Sequence, residues 1–286
     1  HWLANRDGTS GTESSYYLSA NRNKQSITVD LGHPDGRQIV TDLARDADVL
    51  VENFKVGGLE AKGLGYDTLR ELNPRLIYAS ITGFGQTGPR AADPGYDYLA
   101  QALSGFMSVT GDPDGPPVRA GVAISDLSTG MYATVAVLAA LVRRGVSGVG
   151  QYIDVALLDS QTAMLANQAS SFLVGGEAPH RSGPWHPSLA PYQLFDGSDG
   201  TFVIACGNDA QFRTLCSVIG RPELADDPRF GANPHRVRHR AELVDELNRA
   251  LSAEPRAHWL SELPAAGVPA GSVNTIADAF DEPQLV

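Results

Sequence analysis

The sequence is poor in cysteine: Cys206 and Cys216 are the only two among 286 residues. They form neither a C-x-x-C pair nor a disulfide framework, so the chain does not read as a thiol-ligated zinc protein or a disulfide-stapled secreted domain. Their spacing favours a reducing compartment, and we predict a cytoplasmic protein. We expect both cysteines to behave as small buried apolar side chains.

Long apolar runs and an excess of positive charge are also lacking. No run approaches the length of about 18 apolar residues that spans a membrane, and no signal peptide is visible. The net charge of −11 argues against nucleic acid or an anionic membrane as the main partner, although a few local Lys and Arg residues can hold an anionic small molecule. Hydrophobic residues make up 42% of the chain, which is enough for a sizeable core.

Familiar nucleotide-binding and hydrolase signatures are missing. The sequence contains no G-x-x-x-x-G-K-[ST], no G-x-S-x-G and no H-E-x-x-H, and its histidines lack metal-ligand spacing, so we predict no metal site. The segment G-F-G-Q-T-G at 83–88 has the glycine spacing of a dinucleotide fingerprint. Pro89 and Pro94 follow where the fingerprint requires a helix, which argues against a NAD site.

Apolar periodicity predicts an α/β fold, because short strand-like runs alternate with segments of helical spacing. The predicted strands of the first part are 26–31, 48–54, 75–85 and 151–157, and its predicted helices are 36–47, 67–73, 96–111, 127–144 and 159–173. A Gly- and Pro-rich segment, 175–191, follows as a candidate linker or active-site loop, and a strand at 201–207 restarts the pattern. We therefore predict a large domain with a mostly parallel sheet over 1–190 and a smaller α/β domain over 191–286.

The stretch AISDLSTGM at 123–131 places a lone acid, Asp126, at the predicted start of a long apolar helix. An acid in this position is commonly a helix cap, which accepts free backbone N–H groups at the positive end of the helix dipole. A capping carboxylate stays ionised at neutral pH, and at the carboxyl end of a strand it faces the crevice where open α/β sheets bind ligands, so it can attack an acyl group. The pattern leaves both interpretations open, and Asp159 in VALLDSQ is a competing acid that we interpret as a cap.

Six sequence blocks, in order, resemble those of the class III coenzyme A transferases, the CaiB/BaiF and formyl-CoA transferase-like family. The blocks are ESSYYLSANRNKQSITVDL, DVLVENF, GLGYDTLRELNPRLIYASITGFGQTGP, PGYDYLAQALSGFMSVTG, PVRAGVAISDLSTGMYA and GQYIDVALLDSQ. Three later blocks, HPSLAPYQ, GNDAQF and GVPAGSVN, are similar to the branch that moves CoA between dicarboxylates, of which the succinyl-CoA:glutarate group is the nearest. The resemblance implies a Rossmann-like large domain, and it implies that this chain, which begins with His1, is truncated at both ends.

The resemblance also implies a mechanism and a set of catalytic residues. Asp126 matches the family nucleophile in its G-x-x-x-x-D-x-x-x-G-M block; it would form an aspartyl anhydride and then an aspartyl-CoA thioester. Tyr96 and Asp97 match active-site positions, with Tyr96 a candidate donor to developing oxyanions. Ser125 and Gly130 read as small residues that leave room for the thioester. The reaction, a transfer of sulfur-containing groups, needs no metal and no permanently bound cofactor, because CoA itself is the substrate.

The same resemblance implies that coenzyme A is bound by the VDL and ENF blocks and by nearby basic residues. Two basic positions of the family are Gly32 and Ala61 in this chain, so other basic side chains have to meet the CoA phosphates. The predicted CoA-binding residues are Val29, Asn53, Phe54, Lys62, Arg22 and Lys24.

Two alternatives remain beside a CoA-transferase whose partners are an acyl-CoA and a small carboxylic acid, between which it moves coenzyme A. An α-methylacyl-CoA racemase shares the fold, but racemases carry His where this chain has Tyr96, and a phenol with an ordinary pKa of about 10 is a poor proton carrier. The other alternative is an inactive CoA-binding fragment. The resemblance further implies an interlocked homodimer.

Overall fold

The structure is a computed structural model, and it describes residues 2–4 and 10–285. Its strands are β1 (Trp2–Ala4), β2 (Ser10–Ser14), β3 (Val49–Glu52), β4 (Ile77–Thr82), β5 (Tyr152–Ala156), β6 (Tyr192–Gly197), β7 (Gly200–Ala205) and β8 (Ala270–Ser272). Its α-helices are α1 (Ser15–Ala20), α2 (Pro34–Asp46), α3 (Tyr66–Leu72), α4 (Asp97–Leu103), α5 (Ile124–Ser147), α6 (Leu157–Ala163), α7 (Ala166–Gly175), α8 (Asp209–Val218), α9 (Asn233–Arg238), α10 (Arg240–Leu251), α11 (Arg256–Ala265) and α12 (Ile276–Phe280). Short 3-10 helices lie at Glu60–Lys62, Phe106–Ser108 and Pro222–Ala225.

The chain divides into two compact units, His1–Gly95 with Thr129–Leu157 and Tyr96–Ser128 with Leu158–Val286. The first unit contains a parallel sheet in the order β3-β4-β5. Such a sheet is normally covered on both faces, so its central strand reads as a continuous apolar run. The IYASIT sequence of β4 is mostly apolar, and its first four residues are buried.

Successive residues of β4 point to opposite faces of this sheet, and each face has its own core. Ile77 and Ala79 pack with Ala133 and Ala140 of helix α5. Tyr78 lies in the other core with Leu64, Leu69 and Ala44, and its hydroxyl donates to the Leu64 carbonyl oxygen over 3.1 Å. Burial is the main cause that raises the pKa of Tyr78 above its usual range.

A close contact between two glycines lies just beyond β4 in the first unit. A Cβ atom added to Gly83 would lie 2.3 Å from the Gly95 Cα atom, so neither position leaves room for a side chain. Gly85 then adopts a positive φ of 84°, and no helix follows until Asp97. The glycines at 83–88 therefore serve a tight turn, and the geometry required of a dinucleotide fingerprint is not formed.

Helix α5 begins within the second unit and continues through the first. Small residues cover its inner face, whereas Met131, Val135, Leu138, Val142 and Val146 are exposed at helical spacing along the outer face; we call these residues the α5 stripe. Within the described residues, α5 alone is long and apolar enough to cross a membrane by length and composition, contrary to our expectation that no such run exists. One face of α5 packs against the parallel sheet through residues such as Ala133 and Ala140.

The second unit contains an antiparallel sheet in the order β6-β7-β8. Its core joins this sheet to helices α8, α10 and α11 through buried side chains such as Phe202, Phe212, Leu247 and Leu263. Fully buried Arg236 lies beside this core. Its guanidinium donates to the Ala190 carbonyl over 2.6 Å, to the Phe230 carbonyl over 2.9 Å and to the Asp209 carboxylate over 2.6 Å.

The two cysteines lie in the same core, as expected. Cys206 is 1% exposed and Cys216 is fully buried, and both are free thiols. Burial raises the pKa of each thiol to about 12. Neither side chain is therefore a thiolate at neutral pH.

Several sequence predictions differ from the structure; the predicted helix 96–111, for example, ends at Leu103, and a separate 3-10 helix follows at Phe106–Ser108. Residues 26–31 form no strand, because Asp30 turns the chain by accepting the Gly32 N–H over 2.7 Å. The predicted helix 159–173 is broken into α6 and α7. Strand β6 was not predicted as a strand. The mixed α/β fold with a parallel sheet is confirmed, and the domain boundary between 190 and 191 stays a prediction.

Candidate active site

Asp126 lies in the first turn of α5, and it is not the residue that caps this helix. The helix begins at Ile124, which places Asp126 inside it. At this end of the helix the backbone N–H of Ser125 donates to Asp97 Oδ1 over 2.8 Å. The predicted cap therefore exists, but Asp97 supplies it from helix α4, and the Asp126 carboxylate is left for another role.

Asp97 is held by a neighbour on its own helix. Gln101, four residues further along α4, donates from Nε2 to Asp97 Oδ2 over 2.8 Å. The other end of the same amide accepts the Ala120 N–H over 2.9 Å. Both carboxylate oxygens of Asp97 thus accept hydrogen bonds from buried or partly buried donors, which fixes the orientation of the side chain.

The electrostatic surroundings of Asp126 change its acidity. Its side chain keeps contact with solvent, while the protein packed around it removes part of its hydration. This partial burial is the larger cause that raises the pKa of Asp126, and the negative charge of Asp97 is the second. The predicted reason for ionisation, capping, is therefore wrong. A raised pKa makes the ionised carboxylate more basic, and a more basic carboxylate is a better nucleophile.

Tyr96 lies directly before α4, at its N-cap position. Its backbone carbonyl accepts the Ala100 N–H over 3.0 Å, while its side chain is 71% exposed. The ring is therefore not packed into a core, as even a half-buried aromatic would be. The phenol is therefore open to a substrate, as a hydrogen-bond donor to an oxyanion has to be.

Buried amides near Asp126 were missed by sequence reasoning. Ser125, interpreted as a small residue that leaves room for a thioester, is fully buried, and its hydroxyl donates to Gln161 Oε1 over 2.8 Å. The same hydroxyl lies 3.3 Å from the Asp97 carbonyl oxygen. Gly130 is open, because a Cβ atom added there would meet nothing within 4 Å. The one available signal was the i, i+4 spacing of Asp97 and Gln101 on a predicted helix.

Two predicted CoA-binding residues follow strand β3 directly, at the carboxyl edge of the parallel sheet. Asn53 and Phe54 are both exposed, and the Phe54 N–H donates to Glu52 Oε2 over 2.8 Å. Ligands of open α/β sheets bind at this edge. The exposed ring of Phe54 is therefore available for stacking, and a role in core packing is excluded.

The other predicted CoA contacts also lie in the first unit, on segments without strands. Val29 is half-buried beside Gly36, where a Cβ atom would come within 3.1 Å of the valine side chain. Lys62 is half-buried at the end of a 3-10 helix. Arg22 and Lys24 are exposed, and the Lys24 ammonium donates to the Asn21 side chain over 3.1 Å.

The competing acids have structural surroundings of their own. Asp154 accepts the Gln86 N–H over 2.9 Å and so holds the glycine-rich turn after β4. Asp159 lies within the first turn of α6. In the part of the chain that the structure describes, no three His, Cys, Asp or Glu side chains are gathered as a metal site requires.

A family model described as CoA-transferase family III matches residues 4–286. The chain belongs to CoA-transferase family III. The family membership and the fold inferred from the six sequence blocks are thereby confirmed.

Relatives in this family are similar in sequence to nearly the whole of this chain. The chain is 48% identical over 270 residues to the succinate–glutarate CoA-transferase of Agrobacterium fabrum, covering 94% of this chain and 68% of that protein. It is 45% identical over 276 residues to the succinyl-CoA:glutarate CoA-transferase of Homo sapiens, covering 96% of this chain and 63% of the human protein. This chain therefore spans about two thirds of the length of these relatives.

A solved structure is similar to nearly the whole of this chain in both fold and sequence. A CaiB/BaiF family protein from Brucella suis superposes with a TM-score of 0.86 at 46% identity, covering 99% of this chain and 74% of the other. The predicted likeness to the succinyl-CoA:glutarate group is confirmed by the relatives, and they do not favour a racemase or an inactive fragment.

Proposed function

We propose that this member of CoA-transferase family III moves coenzyme A from an acyl-CoA donor, succinyl-CoA, to a carboxylic or dicarboxylic acid. The support is the exposed Asp126 carboxylate on a first turn fixed by Asp97, together with relatives that carry succinyl-CoA and glutarate in their names. Glutarate is the first acceptor to test.

The proposed reaction exchanges one activated acyl bond for another. The Asp126 carboxylate attacks the donor thioester, and a mixed anhydride forms as CoA thiolate leaves. The thiolate then attacks the aspartyl carbonyl, which gives an aspartyl-CoA thioester and releases the donor acid. The acceptor carboxylate attacks this thioester, and CoA leaves and takes the acceptor acyl group from the second anhydride, which frees Asp126.

Each step passes through a tetrahedral oxyanion, which needs a hydrogen-bond donor in place. We assign this role to the open hydroxyl of Tyr96, which is adjacent in sequence to Asp97. Asp97 itself has both oxygens occupied, so we propose that it orients the site and does not transfer protons. The raised pKa of Asp126 favours attack on a thioester, because nucleophilicity rises with basicity.

We propose that CoA is held by the six residues named from the resemblance, with Phe54 stacking on the adenine ring. Phe54 suits this role because it is exposed at the carboxyl edge of the sheet. Lys62, Arg22 and Lys24 supply positive charge for the phosphates. No permanently bound cofactor takes part, and CoA is present only as a substrate.

We also propose that the protein is a cytoplasmic homodimer, interlocked as the resemblance implies. The α5 stripe supports an assembly, because five large apolar side chains on one helix face gain free energy when another surface covers them. Sedimentation of the protein as a monomer would contradict this part of the proposal.

A substrate panel tests the activity. Succinyl-CoA is mixed with glutarate and other dicarboxylates, and new acyl-CoA is identified by mass spectrometry. We expect Asp126→Ala to abolish transfer and the matched variant Asp159→Ala, which removes the competing acid, to retain it. Hydroxylamine should attack the activated carbonyl of Asp126, displace CoA or the bound acid, and leave a hydroxamate on this residue alone. Undiminished turnover in Asp126→Ala would remove this residue from the mechanism.

A further inference from the structure

Helix α6 places a buried amide against the residue that precedes Asp126. Gln161 is fully buried, and its Oε1 accepts the Ser125 hydroxyl over 2.8 Å. The other end of the amide, Nε2, is buried without a hydrogen-bond partner among the residues that the structure describes. A buried unpaired donor costs about 1–3 kcal/mol. Stability alone therefore does not account for a glutamine at this position, since an apolar side chain of similar length would avoid the cost.

The contacts of Ser125 show what the amide achieves. Asp97 on α4 holds the serine N–H, and Gln161 on α6 holds the serine hydroxyl. Two helices thus fix one residue in the first turn of α5. Asp126 follows Ser125 in the same helical turn, and helical backbone dihedral angles lie in a narrow range, so fixing Ser125 also restricts the backbone position of Asp126.

We propose that Gln161 is a positioning residue, which acts through the Ser125 hydroxyl to aim the Asp126 carboxylate at the substrate. The inference rests on the proposed function, in which Asp126 is the nucleophile. Attack on a thioester requires near-exact placement, and a displacement of about 1 Å lowers a rate by roughly 100-fold. The Gln161 amide does not touch substrate in this proposal, because both of its ends are buried.

The main test compares Gln161→Met with Gln193→Met. Methionine keeps the length of glutamine and removes the amide. Gln193 is a matched control, because it is also buried with one unpaired amide atom, Oε1, and lies on β6. We expect Gln161→Met to lower kcat by roughly 10- to 100-fold, with KM for succinyl-CoA and the thermal unfolding midpoint little changed. Gln193→Met should leave kcat and KM unchanged.

Two further variants separate positioning from a packing effect. Gln161→Glu keeps an acceptor oxygen for Ser125, so we expect its kcat at mildly acidic pH to lie within about 3-fold of that of the unchanged protein. Ser125→Ala removes the proposed link. If Gln161 acts through that hydroxyl, the double variant Ser125→Ala/Gln161→Met should be no slower than Ser125→Ala alone.

A measurement without turnover keeps this inference separate from the proposed function. Asp126 is labelled with ¹³C and titrated by NMR in the unchanged protein and in Gln161→Met. A loosened first turn brings the carboxylate into fuller contact with water, so its pKa should fall toward the ordinary aspartate range. An unchanged Asp126 titration together with an unchanged kcat would overturn the inference. Failure of transfer in the unchanged protein would overturn the proposed function, and the NMR comparison would still decide the role of Gln161.

Discussion

Replacement of Asp97 by asparagine tests the core of the site, because it changes charge and hydrogen bonding while shape is kept. Asp97 Oδ1 accepts the Ser125 N–H and Oδ2 accepts Gln101 Nε2, each over 2.8 Å. Asparagine offers one oxygen and one NH₂ group, so one of the two contacts becomes a donor facing a donor. A hydrogen bond to a charged group contributes about 1.5–3 kcal/mol, and we expect Asp97→Asn to lower the free energy of unfolding by about 2 kcal/mol.

The same substitution should also move the pH dependence of transfer. The charge of Asp97 is the second cause of the raised pKa of Asp126, so its removal lowers that pKa, while the larger effect of burial remains. Because Asp126 must be ionised to attack, the acid limb of kcat/KM should move to lower pH, provided that Asp126 is the group this limb reports. Stability is measured by urea unfolding at neutral pH, and the limb by initial rates over a pH series.

Two control variants separate the loss of the Asp97 hydrogen bonds from the loss of a negative charge in this segment. Asp93→Asn removes an exposed carboxylate of the same segment, whose partner Arg90 is 2.9 Å away, and should change stability by less than about 1 kcal/mol. Asp97→Asn/Gln101→Glu restores donor–acceptor matching, since the new carboxylate can accept from the asparagine amide, and should recover part of the lost stability. Unchanged stability and an unchanged acid limb in Asp97→Asn would refute the described contacts.

Three other outcomes are expected. Since the pKa of Asp126 is raised by folding, the folded state holds that proton more tightly, and stability is lost as pH rises through the carboxyl range. Asp126→Asn should therefore raise the unfolding midpoint at neutral pH, and calorimetry should show this gain shrinking on acidification; a lower midpoint would contradict the sign. Arg236→Met removes a buried guanidinium that pairs with the exposed Asp209 carboxylate and donates to two carbonyls of buried residues. It should cost about 3 kcal/mol in urea unfolding, because the two carbonyls lose their donor, whereas the exposed Arg229→Met should cost about 1 kcal/mol or less. Gly83→Ala forces a methyl group to within 2.3 Å of the Gly95 backbone and should destabilise by about 3 kcal/mol; a loss below about 1 kcal/mol in thermal unfolding would show that the turn can relax.

The elements that the sequence predicts correctly are those with long, regular apolar patterns. The central strand β4 and helix α5 are examples, because each buries one continuous surface and its period follows directly from the pattern. Residues 26–31 alternate in the same manner, yet form no strand, because Asp30 and the following glycine turn the chain. Strand β6 was not predicted, because its six residues, YQLFDG, directly follow a Gly- and Pro-rich segment whose composition is typical of a loop.

The candidate site is predictable only in part. The pattern places Asp126 as a lone acid at the start of a long apolar helix, and the resemblance assigns it the role of nucleophile. The sequence does not show that Asp97 caps the helix of Asp126, because the two residues lie on different helices and the bond is visible only in three dimensions. Gln161 carries no local signal at all, because a buried glutamine differs from an exposed one by its partners and not by its neighbours in sequence.

The burial of Cys206 and Cys216 has a practical consequence for enzymology on this protein. Reagents that detect free CoA by disulfide exchange react with thiolates, and neither cysteine is one while the second unit is folded, because the pKa of each thiol is raised to about 12. The folded protein should therefore add almost no colour to such an assay of CoA release. The same two thiols become reactive when the second unit opens, so the reagent that follows the reaction also reports, in the absence of CoA, how often that unit unfolds.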